Sequence, residues 1–455
     1  MRYNELLNRF YQMEINEGLF EIKDKDGVCV WDLVRYYVFV TLMWTEDQAP
    51  STETKWSIKR VIAVLSSFVL NLWIVLFVRR KYFFFLHSRN RHPKNGLFFD
   101  QNAFNTINLF NPKECLINEC YNVEGRDIYD SIIRFKQSGL LYRLFVRNTP
   151  EYDYNEIKNC IDKYFTNNNV SLERLNSEYK SFYAEKRFYK MVFRKTSTKL
   201  LFVTQAGIRK GVFAAAEELA IPSIEFNHGI VYNGHMAYSY PKIDNIVNYN
   251  ADYIFSLSDF WFQDMFLPNT KVLSVGNDYF VPKCIPNSSP EADKTILVVS
   301  SDVMGLALKD FMIDMFENNP ESLRYKYIFK LHPNQFEQRE AYEDYFRNYS
   351  NVVIITNEKS VPECLLNCAT MLVIQSTAAF EALQMKRKVV VYKRLSFDVM
   401  PILFDNSNVY LVDNAIEFLH VLSLPIKDDH SDFFVAYDSN KAIKYIDFIL
   451  NKSLL

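Results

Sequence analysis

Three short runs pair chemically active residue types with positions that expose them. The first is Phe226-Asn227-His228-Gly229, directly after the apolar stretch Pro222-Ser223-Ile224-Glu225. A histidine followed by glycine at a strand end sits on a turn with little bulk around it, and an imidazole changes charge near neutral pH. That makes His228 a candidate general base, with Asn227 and Gly229 as its neighbours. A turn histidine that bonds only its own loop would have the same spelling.

The second run is Lys330-Leu331-His332-Pro333. Lys330 and His332 are two residues apart, hence on one strand face, and Pro333 stiffens the exit. Two donors at a strand's C-terminal end suit a phosphate oxygen, although an ordinary strand-to-helix turn would look alike. The third run, Gln375-Ser376-Thr377-Ala378-Ala379-Phe380-Glu381, joins an apolar strand to a helix. Ser376 and Thr377 are natural helix caps, and a helix start attracts anions. Glu381 lies four residues after Thr377, one beyond capping-box spacing, which frees it for a sugar hydroxyl. Asp302, after the first strand of the C-terminal half, is a further candidate neighbour, as is Gln375.

Other chemistries are excluded by composition. The chain has 455 residues with 52 Lys plus Arg against 54 Asp plus Glu, a balance that offers nucleic acid no attraction. Only 11 residues are glycine, and no GxGxxG or GxxxxGK[ST] runs through them, so dinucleotide fingerprints and P-loops are absent. Seven dispersed cysteines give no zinc spacing and suggest reduced thiols. Asp24-Lys25-Asp26 spells a metal-binding DxD, but Gly27 follows and the run reads as a tight turn. No metal site is expected, and no cofactor. The charged start MRYNELLNRF points to a cytoplasmic chain.

The elements that would position these residues alternate. Residues 1–60 form an α-rich lead-in, with a helix from Val30 to Met43. Helices are expected over 128–146, 156–164 and 172–195. From Lys199 onward strands and helices take turns, and beyond prolines 268, 282, 286 and 290 the pattern becomes regular. Strands are expected at 295–300, 325–331, 351–356, 371–375, 389–393 and 409–412. Apolar runs alternating with helices mean a parallel sheet covered on both faces. The fold class is therefore α/β, with two doubly wound halves divided as 1–270 and 271–455 and a last helix returning to the first half. The 18 uncharged residues from Val61 to Val78 have basic shoulders: Lys55, Lys59 and Arg60 before, Arg79, Arg80 and Lys81 after. They fit a buried helix, an interfacial segment, or a span at the short limit.

In this order the motifs resemble GT-B glycosyltransferases of bacterial surface-polysaccharide synthesis, including capsule Kdo transferases, bacterial sialyl- and polysialyltransferases, and CDP-glycerol glycerophosphotransferases. The local likeness is in AAAEELAIPSIEFNHG (214–229) and VLSVGNDYF (272–280), and covers about residues 199–395. It implies two Rossmann-like domains facing a cleft, with metal-independent transfer from a CMP-, CDP- or UDP-linked sugar. The acceptor would be a hydroxyl of a surface polysaccharide or lipid-linked glycan. The apolar run and its basic shoulders, not the resemblance, suggest membrane contact through 56–81 from the cytoplasmic side. The resemblance makes His228 the base, Lys330 and His332 the donor-phosphate contacts, Ser376 and Thr377 a second phosphate contact, and Glu381 the sugar partner. A CDP-alditol phosphotransferase, a nucleotide-sugar 2-epimerase and a non-catalytic scaffold of the assembly complex share this outline. The paired acidic base of the sialyltransferases is missing here.

Overall fold

A computed structural model describes residues 3–43, 58–86, 90–91, 97–119, 129, 131–136, 140–146, 149–204, 207, 209–232, 234–263, 265–282, 289–301, 304–394, 397–429 and 432–452. It separates into two units. The larger comprises residues 6–257, 262–278 and 436–455; the smaller comprises 1–5, 258–261 and 279–435.

The larger unit is built on seven parallel strands: β1 (Tyr82–Leu86), β2 (Cys115–Glu119), β3 (Ile133–Lys136), β4 (Leu200–Thr204), β5 (Ser223–Phe226), β6 (Tyr253–Ser256) and β7 (Lys271–Ser274). Their spatial order is β3-β2-β1-β4-β5-β6-β7, which reverses direction between β1 and β4. Central strands read as unbroken apolar runs because both of their faces are covered. On one face Phe83, Phe85, Leu201 and Val203 meet four helices. These are α3 (Ile58–Phe77), α4 (Leu172–Thr196) and α5 (Lys210–Glu217), with Leu140–Val146 beside them. On the other face Phe84, Phe202 and Phe226 form a stacked ladder, with ring centroids 4.5 and 5.6 Å apart. The final helix, Ser439–Lys452, sets Ala442, Ile446 and Ile449 against that ladder. Gly211 allows α5 to approach α4: a Cβ there would lie 2.5 Å from the Phe182 carbonyl oxygen.

Two expectations are corrected here. Residues 128–146 are not one helix, because Ile133–Lys136 pairs with β2 as the sheet's outermost strand. Lys271–Ser274, beside the prolines that the division at 270/271 follows, is a strand of the first sheet: it pairs with β6 and completes it.

The smaller unit has six parallel strands: β8 (Thr295–Val299), β9 (Lys326–Lys330), β10 (Val352–Ile355), β11 (Thr370–Val373), β12 (Lys388–Tyr392) and β13 (Val409–Val412). Their order is β10-β9-β8-β11-β12-β13. All six lie where the apolar runs put them. Helix α6 (Gly305–Asn318) buries Leu308, Phe311, Met312 and Met315 against Ile296, Val298 and Phe329. In both sheets the order 3-2-1-4-5-6 creates a switch point, where the C-terminal strand ends open a crevice for ligands. Two doubly wound, Rossmann-like α/β sheets are therefore present.

Candidate functional site

In the larger unit the His228 turn grows out of β5. The Asn227 amide donates to the Phe255 carbonyl at 3.0 Å, extending the ladder by one bond. The Gly229 amide then turns back to Asn227 Oδ1 at 3.4 Å. A Cβ on Gly229 would have nothing within 4 Å, so space beside the imidazole is open.

Behind the imidazole lies a polar pair that sequence reasoning missed. Tyr238 donates its hydroxyl proton to Glu225 Oε1 and lies 3.2 Å from His228 Nδ1. A phenol has one proton. With that proton committed to Glu225, the Tyr238 oxygen can only accept, so Nδ1 carries the imidazole hydrogen and Nε2 keeps its lone pair. Burial and the Glu225 carboxylate push the Tyr238 phenol well above its ordinary range, which keeps it protonated. His235, seven residues beyond His228, is half-buried and neutral: desolvation, then the neighbouring His228, depress it to about 4.

The loop carrying Tyr238 is held from the lead-in helices α1 (Tyr3–Asn16) and α2 (Val30–Met43). The buried Arg35 guanidinium donates to the Met236 carbonyl at 2.7 Å and to Glu14 Oε1 at 2.8 Å, and stacks on Tyr240. Asp32 accepts from the Tyr240 hydroxyl at 2.8 Å and the Tyr249 amide at 3.1 Å, and pairs with Lys210 at 3.0 Å. Removing one partner of a buried ion pair costs ~3–5 kcal/mol, so this anchorage is rigid. The signal was legible in kind: an Arg and an Asp within an apolar helix are seldom buried unpaired.

In the smaller unit the other candidates follow the C-terminal ends of β9 and β11, the two strands that flank β8. His332 follows β9, and its Nδ1 accepts the Asn334 amide hydrogen at 3.3 Å. Its hydrogen is therefore on Nε2, the opposite tautomer to His228. Lys330 is not a free cation, because its ammonium donates to the carbonyls of Thr356 and Lys359, each at 2.6 Å. Desolvation lowers its pKa, and the carboxylates of Glu358, Glu363 and Glu381 oppose that fall. Glu381 is half-buried, and desolvation pushes its carboxyl up to about 7 against the pull of Lys330.

Gln375, Ser376 and Thr377 follow β11 at the switch point beside β8. Ser376 Oγ accepts the Ala378 amide at 3.3 Å, whereas Thr377 makes no side-chain cap. The helix they begin, α7 (Ala378–Gln384), has only seven residues. Gly305 opens α6 on the adjacent strand: a Cβ there would lie 2.5 Å from Ser300 Oγ. Asp302 lies outside the described residues. Asp278 belongs to the larger unit, where it accepts from Asn105 at 2.8 Å and the Tyr437 amide at 2.9 Å. Among the described residues no cluster could hold a metal ion. Asp24 spends its carboxylate on the Asp26 and Val28 amides and on the Tyr179 and Tyr183 hydroxyls.

The strands of the smaller unit match a family model. Residues 292–410 match the family model for capsule polysaccharide biosynthesis proteins. That segment spans β8 to β13 and contains Lys330, His332, Ser376, Thr377 and Glu381. No curated protein matches the chain. Among solved structures it is similar to the UDP-GlcNAc 2-epimerase of Methanocaldococcus jannaschii, with 14% identity over 81% of this chain and 99% of that one, TM-score 0.44. The Neisseria meningitidis UDP-GlcNAc 2-epimerase is 13% identical over 82% of this chain and 100% of that one, TM-score 0.44. The lipopolysaccharide outer core galactosyltransferase WaaB is 13% identical over 82% and 99%, TM-score 0.45. At these identities no residue correspondence follows.

Proposed function

We propose that this chain is a metal-independent glycosyltransferase of bacterial surface-polysaccharide assembly. It moves a sugar from a nucleotide-activated donor to a hydroxyl of a growing glycan or lipid-linked acceptor. The observation that carries the reading is the capsule-biosynthesis match over 292–410, on a sheet that carries hydroxyl and imidazole donors after β11 and β9, on either side of β8.

His228 Nε2 takes the proton of the acceptor hydroxyl as its oxygen bonds to the donor's anomeric carbon. The bond from that carbon to the phosphate oxygen breaks, and the nucleotide leaves with the electron pair. The Nε2–H of His332 and the hydroxyls of Ser376 and Thr377 meet the phosphate. An ammonium has three donors, and Lys330 uses two on carbonyls, leaving one for a phosphate oxygen. Glu381 accepts a sugar hydroxyl.

In this reading the reaction takes place at the cytoplasmic membrane face. Among the described residues no helix is long and apolar enough to cross a membrane. Helix α3 instead buries Asn71, Ile74 and Val75 and exposes Leu65, Val69, Leu72, Trp73, Leu76 and Phe77. An apolar helix face followed by Arg79, Arg80 and Lys81 fits an anionic lipid surface, into which it would lie in plane.

The test is a thermal-shift panel of CMP, CDP, UDP and GDP, followed by product analysis with the matching nucleotide-sugars. Stabilisation by one nucleotide, with sugar transfer to an acceptor, supports the reading. C2 epimerisation, alditol-phosphate transfer, or no nucleotide binding would each replace it.

A further inference from the structure

We infer that the larger unit carries a separate groove for a neutral sugar ring, formed between the lead-in helix α2 and the long helix α4. This deepens the reading as a glycan-handling transferase and rests on it. The groove encloses about 270 Å³. One wall is the face of α2 that presents Leu33, Tyr36, Tyr37 and Val40, spaced three and four apart. The facing wall is the Glu178, Ser181 and Glu185 stripe of α4, with Phe182 beside it.

A pyranose has an apolar C–H face and a rim of hydroxyls, so it needs an aromatic platform opposite polar acceptors. This groove has both. Among the described residues the hydroxyls of Tyr36 and Ser181 have no side-chain or backbone partner. Charge decides the class of sugar. Glu178 is paired with Arg174 at 2.6 Å, and Arg174 lies over the Tyr37 ring. Glu185 is paired with Arg209 at 3.1 Å. Lys210, at the groove's inner end, is committed to Asp32, Tyr240 and Asn250. Each cation lies against a carboxylate, so the lining offers an anionic sugar no net positive charge, whereas hydroxyls can bond the outer lone pairs of both carboxylates.

A chain of packed rings connects the groove wall to the candidate base. The Tyr36 ring stacks on His235 at 6.5 Å, and His235 packs on Tyr238 at 5.0 Å, the residue that orients His228. Those rings fill the space between, so a sugar held here is not the reacting one but a more distant part of the acceptor glycan.

Saturation-transfer NMR on the full chain tests this with the methyl glycosides of glucose, galactose and N-acetylglucosamine, alongside methyl glucuronide and sialic acid. At least one neutral glycoside should bind, Tyr36→Leu should weaken it tenfold or more, and Val40→Trp should block it from the half-exposed rim. Nucleotide-induced thermal shifts should be the same in both variants. Binding that survives both substitutions, a preference for the anionic sugars, or binding of none would overturn the groove. Loss of nucleotide binding in the wild-type chain would instead overturn the transfer reading, and the two failures remain distinct.

Discussion

The hydroxyl of Tyr238 lies 3.2 Å from Nδ1 of His228 and gives its only proton to Glu225. This fixes the imidazole with a free lone pair on Nε2, as a base requires. Tyr238→Phe should lower kcat by about 10- to 100-fold with little change in donor KM, because His228 loses its orienting partner while the donor contacts remain. Its pH–rate profile should also move. Wild-type turnover and profile in Tyr238→Phe would remove Tyr238 from the mechanism.

His332 has the opposite tautomer, set by the Asn334 amide. His332→Ala should raise the nucleotide dissociation constant by about tenfold, the loss of roughly one charge-assisted bond. Isothermal titration with the nucleotide that scores in the thermal-shift panel reads this directly. Unchanged affinity would move the phosphate site elsewhere.

Much of this was legible in the sequence and part was not. The six strands of the smaller unit announced themselves as apolar runs between helices. Cys115–Glu119 and Ile133–Lys136 did not, because CLINE and IRFK break their short apolar runs with Asn118 and Glu119 and with Arg134 and Lys136. His228 stood out through its glycine and strand end. Tyr238, ten residues on in an irregular loop, gave no periodicity, since only the tertiary fold brings it back to Glu225. Lys330 read as a free strand-end cation, but the carbonyls that engage it come from the neighbouring strand's loop. The helix at Val30–Met43 was visible, whereas its anchoring of the His228 loop through Arg35 and Asp32 was not.

Glu381 links stability to pH. Its carboxyl is raised from 4.5 to about 7 in the fold by desolvation, so the folded state holds its proton more tightly than the unfolded chain. The stabilisation this gives is complete below about pH 4.5 and is lost as pH rises through about 7. Glu381→Gln should therefore raise the melting temperature more at pH 8 than at pH 4.5. An equal effect at both would mean that the carboxyl titrates normally.

Helix α3 exposes Trp73, which is 47% accessible, among large apolar neighbours. Vesicles containing phosphatidylglycerol should shift its emission to the blue and carry the chain upward on flotation, and the binding should weaken as salt rises. Leu72→Glu with Leu76→Glu should abolish it. No flotation with any vesicle, or a concentration-dependent dimer lost in the same variant, would assign this face to protein contact.

The most direct test is His228→Gln, which leaves the turn in place and removes the base. A hydroxyl nucleophile without its base should slow by about 10²- to 10⁴-fold. Turnover with the matching nucleotide-sugar is measured beside nucleotide affinity in the same preparation. The account predicts that turnover collapses while affinity stays at the wild-type value. Near wild-type turnover, or turnover lost only in proportion to nucleotide binding, would contradict it.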